Sequence, residues 1–167
     1  MPPETDNLKL QELYETDQQD RQRVYSTPDA VETLRERDAQ RRRTVQEMMS
    51  RGEVNTPQDL YHASVIHLHG SSQKDFLTAH RLAMIASIKG HTPSRWLACA
   101  SLDRFLMAAG LAQTYGTQFE HNPDENKYQL RLPIEDTTLL SFEKKFFNVP
   151  PIAERLAQLN GKIQAKG

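Results

Sequence analysis

The sequence predicts a mainly α fold of antiparallel helical hairpins, with five main helices, a small β-hairpin near residues 117–132 and a short C-terminal helical segment. Three observations carry that prediction. A Thr-Pro pair, an N-cap followed by a first-turn proline, occurs at Thr27-Pro28, Thr56-Pro57 and Thr92-Pro93. Glycines at positions 52, 70 and 90 close the helical stretches around these starts. After Gln118 the periodicity changes, and two strand-like runs flank the turn-forming string Asn122-Pro123-Asp124-Glu125-Asn126.

The elements follow in order. Residues 1–3 are expected to be disordered, 4–163 to form one helical domain, and 164–167 to fray. A polar helix over about 4–24 carries Leu10, Leu13, Tyr14 and Asp17 at helical spacing. The second helix runs from Pro28 to about Arg51, with Val31, Leu34, Asp38, Val45, Met48 and Met49 towards one side. Asp17 and Asp38 have arginines three or four positions away, which reads as ordinary pairing along each helix. Helix three covers about 57–69. Ser72 and Asp75 form a capping-box start to helix four, about 73–89. The chain is organised around the next stretch, which opens at Pro93 as a long apolar helix and passes through Gly110 into the loop Gln113-Thr114-Tyr115-Gly116-Thr117-Gln118. Gly116 supplies a backbone angle that other residues disfavour. Strands at 117–121 and 127–132 place Tyr128, Leu130 and Leu132 on one face. Asp136 or Thr137 caps a short helix near 138–146, and a last helix spans about 152–163.

Composition narrows the function classes. Lys plus Arg is 21 and Asp plus Glu is 22, a near balance that argues against general nucleic-acid binding. The run Arg41-Arg42-Arg43 reads as a solvated helix face. One cysteine, Cys99, excludes an internal disulfide framework and any multi-cysteine zinc site, and its apolar surroundings suit packing. No run approaches the roughly 20 apolar residues of a membrane span. The N-terminus has no apolar signal core, so the chain reads as soluble and cytoplasmic, although removal of an export signal would leave the same start.

The polar residues of the apolar stretches mark the candidate site. Asp103 and Arg104 sit inside the apolar helix, where a carboxylate and a guanidinium need partners. Counting from the turns near 71 and 91 puts His62, His80 and Asp103 at about one depth across three packed helices. His62 and His69 share a face of helix three with Ile66, while His67 points away. Trp96 and Met107 read as core, and His91 and His121 as exposed turn residues. Three readings stay open. One is a structural network with the histidines satisfied by Asp103. Another is a pocket for a small molecule or peptide end, and the third is metal-assisted or His–Asp acid–base chemistry. HExxH, GxSxG, P-loop and dinucleotide motifs are absent, so no metal site, cofactor or catalytic residue is assigned.

The strings LDRFL and QTYGTQF, preceded by YHASVIHLHG and AHRLA, resemble a bacterial family of uncharacterised proteins. Its hallmark is Asp-Arg followed, after a glycine, by Gln-x-Tyr-Gly-Thr-Gln. The resemblance covers roughly residues 17–159. It matches at Asp103, Arg104, Gln113, Tyr115, Gly116, Thr117 and Gln118, with His69 and His80 as further members. It implies a domain of unknown function and carries over no substrate, cofactor or catalytic residue. Members of that family often look exported, whereas this N-terminus does not.

The sequence therefore points to a binding or interaction module with a polar pocket formed by His62, His69, His80, Asp103, Arg104, Gln113, Tyr115 and Gln118. In it Arg104 would fix an anionic or carbonyl group. The alternatives are a metal-dependent or acid–base hydrolase-like enzyme using His62, His80 and Asp103, and a scaffold that docks another protein.

Overall fold

The computed structural model describes residues 5–135 and 141–164. Five helices come first: α1 Leu8–Gln22, α2 Pro28–Ser50, α3 Pro57–Leu68, α4 Gln73–Ile88 and α5 Pro93–Ala108. The antiparallel pair β1 Phe119–Asn122 and β2 Lys127–Leu130 follows, then α6 Ser141–Phe147 and α7 Ile152–Gln164. This is the mainly α architecture with a β-hairpin and a C-terminal helical segment that the sequence predicts. The expected loose start at 1–3, the cap at Asp136 or Thr137 and the tail at 165–167 lie outside the described residues. Among the described residues, no helix is long and apolar enough to cross a membrane.

Local chemistry sets most helix starts. Thr27 accepts from the Ala30 N–H, and Thr56 with Asp59 and Ser72 with Asp75 form reciprocal capping boxes. Asn7 caps α1, accepting from Leu10 N–H while its own N–H donates to Asp59 at 2.8 Å, so one start holds another. Thr92 differs from the other Thr-Pro starts. It is itself helical at φ −58° and makes no side-chain cap, because the chain already turns at His91, whose carbonyl takes the Ser94 N–H.

The helix at the centre is α3, not α5. Nine of the 12 residues of α3 are buried, against seven of 16 in α5. Two apolar clusters meet across α3. Leu10, Val45, Met48, Leu60, Ile66 and Leu82 join α1–α4 on one side. On the other, Val65, Leu68, Ala79, Ala83, Leu97 and Ala98 join α3–α5. Each fully buried leucine or isoleucine contributes about 2 kcal/mol. Encirclement also buries His62 and His67 together, so a one-face reading of α3 does not apply to it.

The loop after α5 returns to the hairpin. Gln113 donates its N–H to Pro133 O and accepts from Glu135 N–H. Gly116 has φ +69°, and a Cβ there would stand 2.9 Å from Ile152 Cδ1, so both the angle and the space require glycine. Tyr128 of β2 exchanges both backbone groups with the Asn160 side chain, which ties α7 to the sheet. Leu132 lies past the end of β2 and is exposed, so it does not share the expected strand face.

Candidate functional site

Asp103 is completely buried, and its carboxylate is committed to one loop. Oδ1 accepts from Thr114 N–H at 2.8 Å and Tyr115 N–H at 2.9 Å. Oδ2 accepts from Thr117 N–H at 3.0 Å and the Thr117 hydroxyl at 2.7 Å. An anion satisfied by three backbone N–H groups and a hydroxyl is a stable interior arrangement. Gln113, also completely buried, braces the loop from the other end. Its amide oxygen accepts from Gln118 N–H at 2.9 Å, and its amide nitrogen donates to Gln118 O and Arg131 O.

Arg104 leaves the same helix about 100° away from Asp103 and meets a different set of groups. Its Nη1 donates to Leu68 O at 2.8 Å and its Nε to Gln118 Oε1 at 3.1 Å. Gln118 in turn donates to Ala100 O and to the Thr117 hydroxyl. Among the described residues no carboxylate pairs with Arg104. Burial and the like charges of Arg21 and Arg131 weaken the guanidinium's hold on its proton. Arg104, Gln118 and Arg131 line a cleft of about 340 Å³ with Phe76, Met107 and Phe119.

The histidines do not gather at Asp103, which corrects the single shared spot expected from turn counting. His62 stacks on Tyr14 with centroids 4.2 Å apart and accepts from the Gln58 amide at 2.7 Å. His80 donates from Nδ1 to Ala98 O at 2.9 Å and faces a smaller apolar cavity with Cys99 and Tyr115. His69 donates from Nδ1 to Asp17 at 2.8 Å. Counting residues from a turn gives depth along a helix, but the direction each side chain takes around it depends on packing. Among the described residues, neither ring nitrogen of the buried His67 is bonded, and the Asp75 carboxylate stands 3.9 Å away. His91 lies in the turn between α4 and α5 as expected but is half-buried against Tyr61 and Ser94, and His121 is exposed as expected but lies on β1. Trp96 and Met107 are half-buried and line clefts. Cys99 is buried as expected. Burial pushes its thiol up, and burial together with Cys99 pushes the Tyr115 phenol up to about 12.

A second polar centre lies between α1 and α2. Arg21 bonds Asp17 at 3.2 Å within α1 but Asp38 of α2 at 2.6 Å. Arg41 bonds Asp38 at 2.9 Å and also holds Asp20 across the helix pair. Arg41 is 7% exposed, so the basic run is not simply a solvated face: Arg43 is exposed, while Arg41 is interior. Pairing along each helix is real but is only half of the arrangement. Asp20, which the sequence reading passed over, is a buried member. Its only sequence signal is its place between Asp17 and Arg21, and nothing there separates it from a surface aspartate. Among the described residues no three potential metal ligands stand together.

These groups give stability an acid-sensitive profile. Burial lowers the pKa of His62, His67 and His91 below the ordinary 6.5. Burial alone would raise the Asp17 carboxyl, but the bond and charge of His69 and the charge of Arg21 hold it below 3.8. Arg41 does the same for Asp20. In both cases the unfolded chain binds more protons just below the ordinary value. Stability is therefore complete above pH 6.5, falls as pH drops through the folded histidine values, and falls again below 3.8. Urea unfolding from pH 8 to pH 4 should show the first of these declines. A His67→Leu variant should show a shallower one, a single buried histidine being worth at most about 1.4 kcal/mol per pH unit.

A scan against protein-family models, a search of curated proteins and a search of solved structures each return no match to this chain.

Proposed function

We propose that this protein is a binding module whose ligand seat is the Arg104 cleft. One observation carries the reading. Arg104 is a half-buried guanidinium held by neutral acceptors, with no carboxylate paired to it among the described residues, and it opens onto a cleft. Interior charges are normally paired, and one aimed into a cleft without a counter-charge suits an incoming group. Asp103, Gln113 and Thr117 act behind the seat. They fix the loop that presents Gln118, and Gln118 orients Arg104. Their interlocking supports reading the Asp-Arg and Gln-x-Tyr-Gly-Thr-Gln string as the mark of the bacterial family named above. The ligand on this reading is a small molecule or a peptide end.

Acid–base chemistry stands as a second reading on one observation, although not with the residues first expected for it. Asp103 is fully occupied by its loop, whereas Asp17 orients His69 through Nδ1. His69 lines a separate cleft of about 500 Å³ with Ser71, Asp38 and Arg42.

A thermal-shift screen of a small-molecule library tests the binding reading. Hits should raise the melting temperature of the native chain and lose that effect in Arg104→Met. Met107→Trp, which plugs the cleft without touching the guanidinium, should abolish it as well. Hits that persist in both variants would sink the proposal.

A further inference from the structure

We infer that the group received by the Arg104 cleft is an oxyanion, a carboxylate or phosphate ester, carried on a compact apolar body; this rests on the binding reading above. Two guanidiniums line the cleft. Arg104 is half-buried. Arg131 is exposed, its backbone N–H spent on Gln118 O, and its side chain has no bond among the described residues. Among the described residues, no acidic side chain lines the cleft. The contrast is the cleft beside α2, where Glu32, Glu36 and Asp38 stand among Arg35 and Arg42 and charges of both signs are already present.

The charges of Arg21 and Arg131, which act on Arg104, are both positive. A neutral ligand would strip water from these guanidiniums and leave them without a counter-charge, which is costly. A carboxylate or phosphate supplies two or three acceptor oxygens in the planar or forked arrangement that guanidinium groups match. Arg104 Nε donates to the neutral amide oxygen of Gln118, which leaves the positive charge unspent. Phe76, Met107 and Phe119 complete the walls, so the body behind the anion meets aromatic and thioether surface. A cleft of about 340 Å³ is at the small end for ligand sites, which suits a compact molecule.

Calorimetric titration of the full chain with benzoate, phenyl phosphate and benzamide tests this. At least one of the two anions should bind about tenfold or more tightly than the isosteric neutral amide. Raising the salt concentration should weaken that binding, since Arg131 is exposed. Arg131→Gln breaks no side-chain bond seen among the described residues. It should keep the native melting temperature and weaken the preferred anion about tenfold. Stronger binding of phenyl phosphate would assign a phosphate ester, and stronger binding of benzoate a carboxylate. Benzamide binding as well as either anion, with all three lost in Met107→Trp, would overturn the oxyanion while leaving the cleft as a binding seat. No binding of any of the three at about 10 mM would overturn both.

Discussion

Asp103→Ala should destabilise the protein by about 3–5 kcal/mol, the cost expected when a buried, multiply bonded anion is removed from its partners. The alanine would leave three backbone N–H groups, those of Thr114, Tyr115 and Thr117, and the Thr117 hydroxyl without their acceptor. No solvent reaches the site to replace it, since Asp103 is 0% exposed. Asp103→Asn preserves the shape but not the chemistry. One oxygen can still accept, while the amide nitrogen must face N–H and O–H groups that already donate. A cost of about 2–3 kcal/mol follows. Urea unfolding at pH 7 measures both. A loss under 1 kcal/mol for the alanine variant would show that the loop holds itself. The same change should loosen Gln118, and with it the Arg104 cleft, because Gln118 follows Thr117 directly and bonds its hydroxyl.

The second large effect is at Arg41. Arg41→Leu should cost about 3–5 kcal/mol, because it leaves buried carboxylates without their cation. Asp20 loses its closest partner, and Asp38 is left with Arg21 alone. Arg43→Leu, two residues on, serves as the control. That side chain is exposed and, among the described residues, bonded only to Gln40, so its loss should stay within about 0.5 kcal/mol. Chemical denaturation of the two variants side by side decides the matter. Similar losses would mean that Arg41 contributes no more than a surface cation. Because the cluster joins α1 to α2, hydrogen exchange in Arg41→Leu should also rise first in α1, whose apolar contribution to the core is Leu10 with the partly buried Leu13 and Tyr14.

The contrast between Arg41 and Arg43 shows where reading residues in a row stops being informative. Both belong to one basic triplet, and the charge pattern alone treats them alike. Their difference arises because α2 turns one of them towards three aspartates on two helices. The Asp103-Arg104 pair was legible earlier, since two opposite charges in an apolar helix require partners wherever it packs. The loop Gln113 to Gln118 was legible as a polar string beside a glycine at a special angle. That these two stretches satisfy each other was not legible, and neither was the separation of the histidines into different surroundings.

Sequence by itself determined the helices and their starts at Thr27, Thr56 and Ser72, the hairpin turn and the glycine at 116. Each of these depends on interactions within a few residues, through caps, fixed dihedrals and excluded angles. Tertiary structure alone decided that α3 is the middle of the fold, that Asp20 and Arg41 are interior, that Asp17 and not Asp103 holds His69, and that Arg104 opens into a cleft with no acid among its described residues. These are matters of which helix face meets which neighbour. Side-chain direction around a helix changes by 100° per residue, and only packing between distant segments selects among the resulting faces.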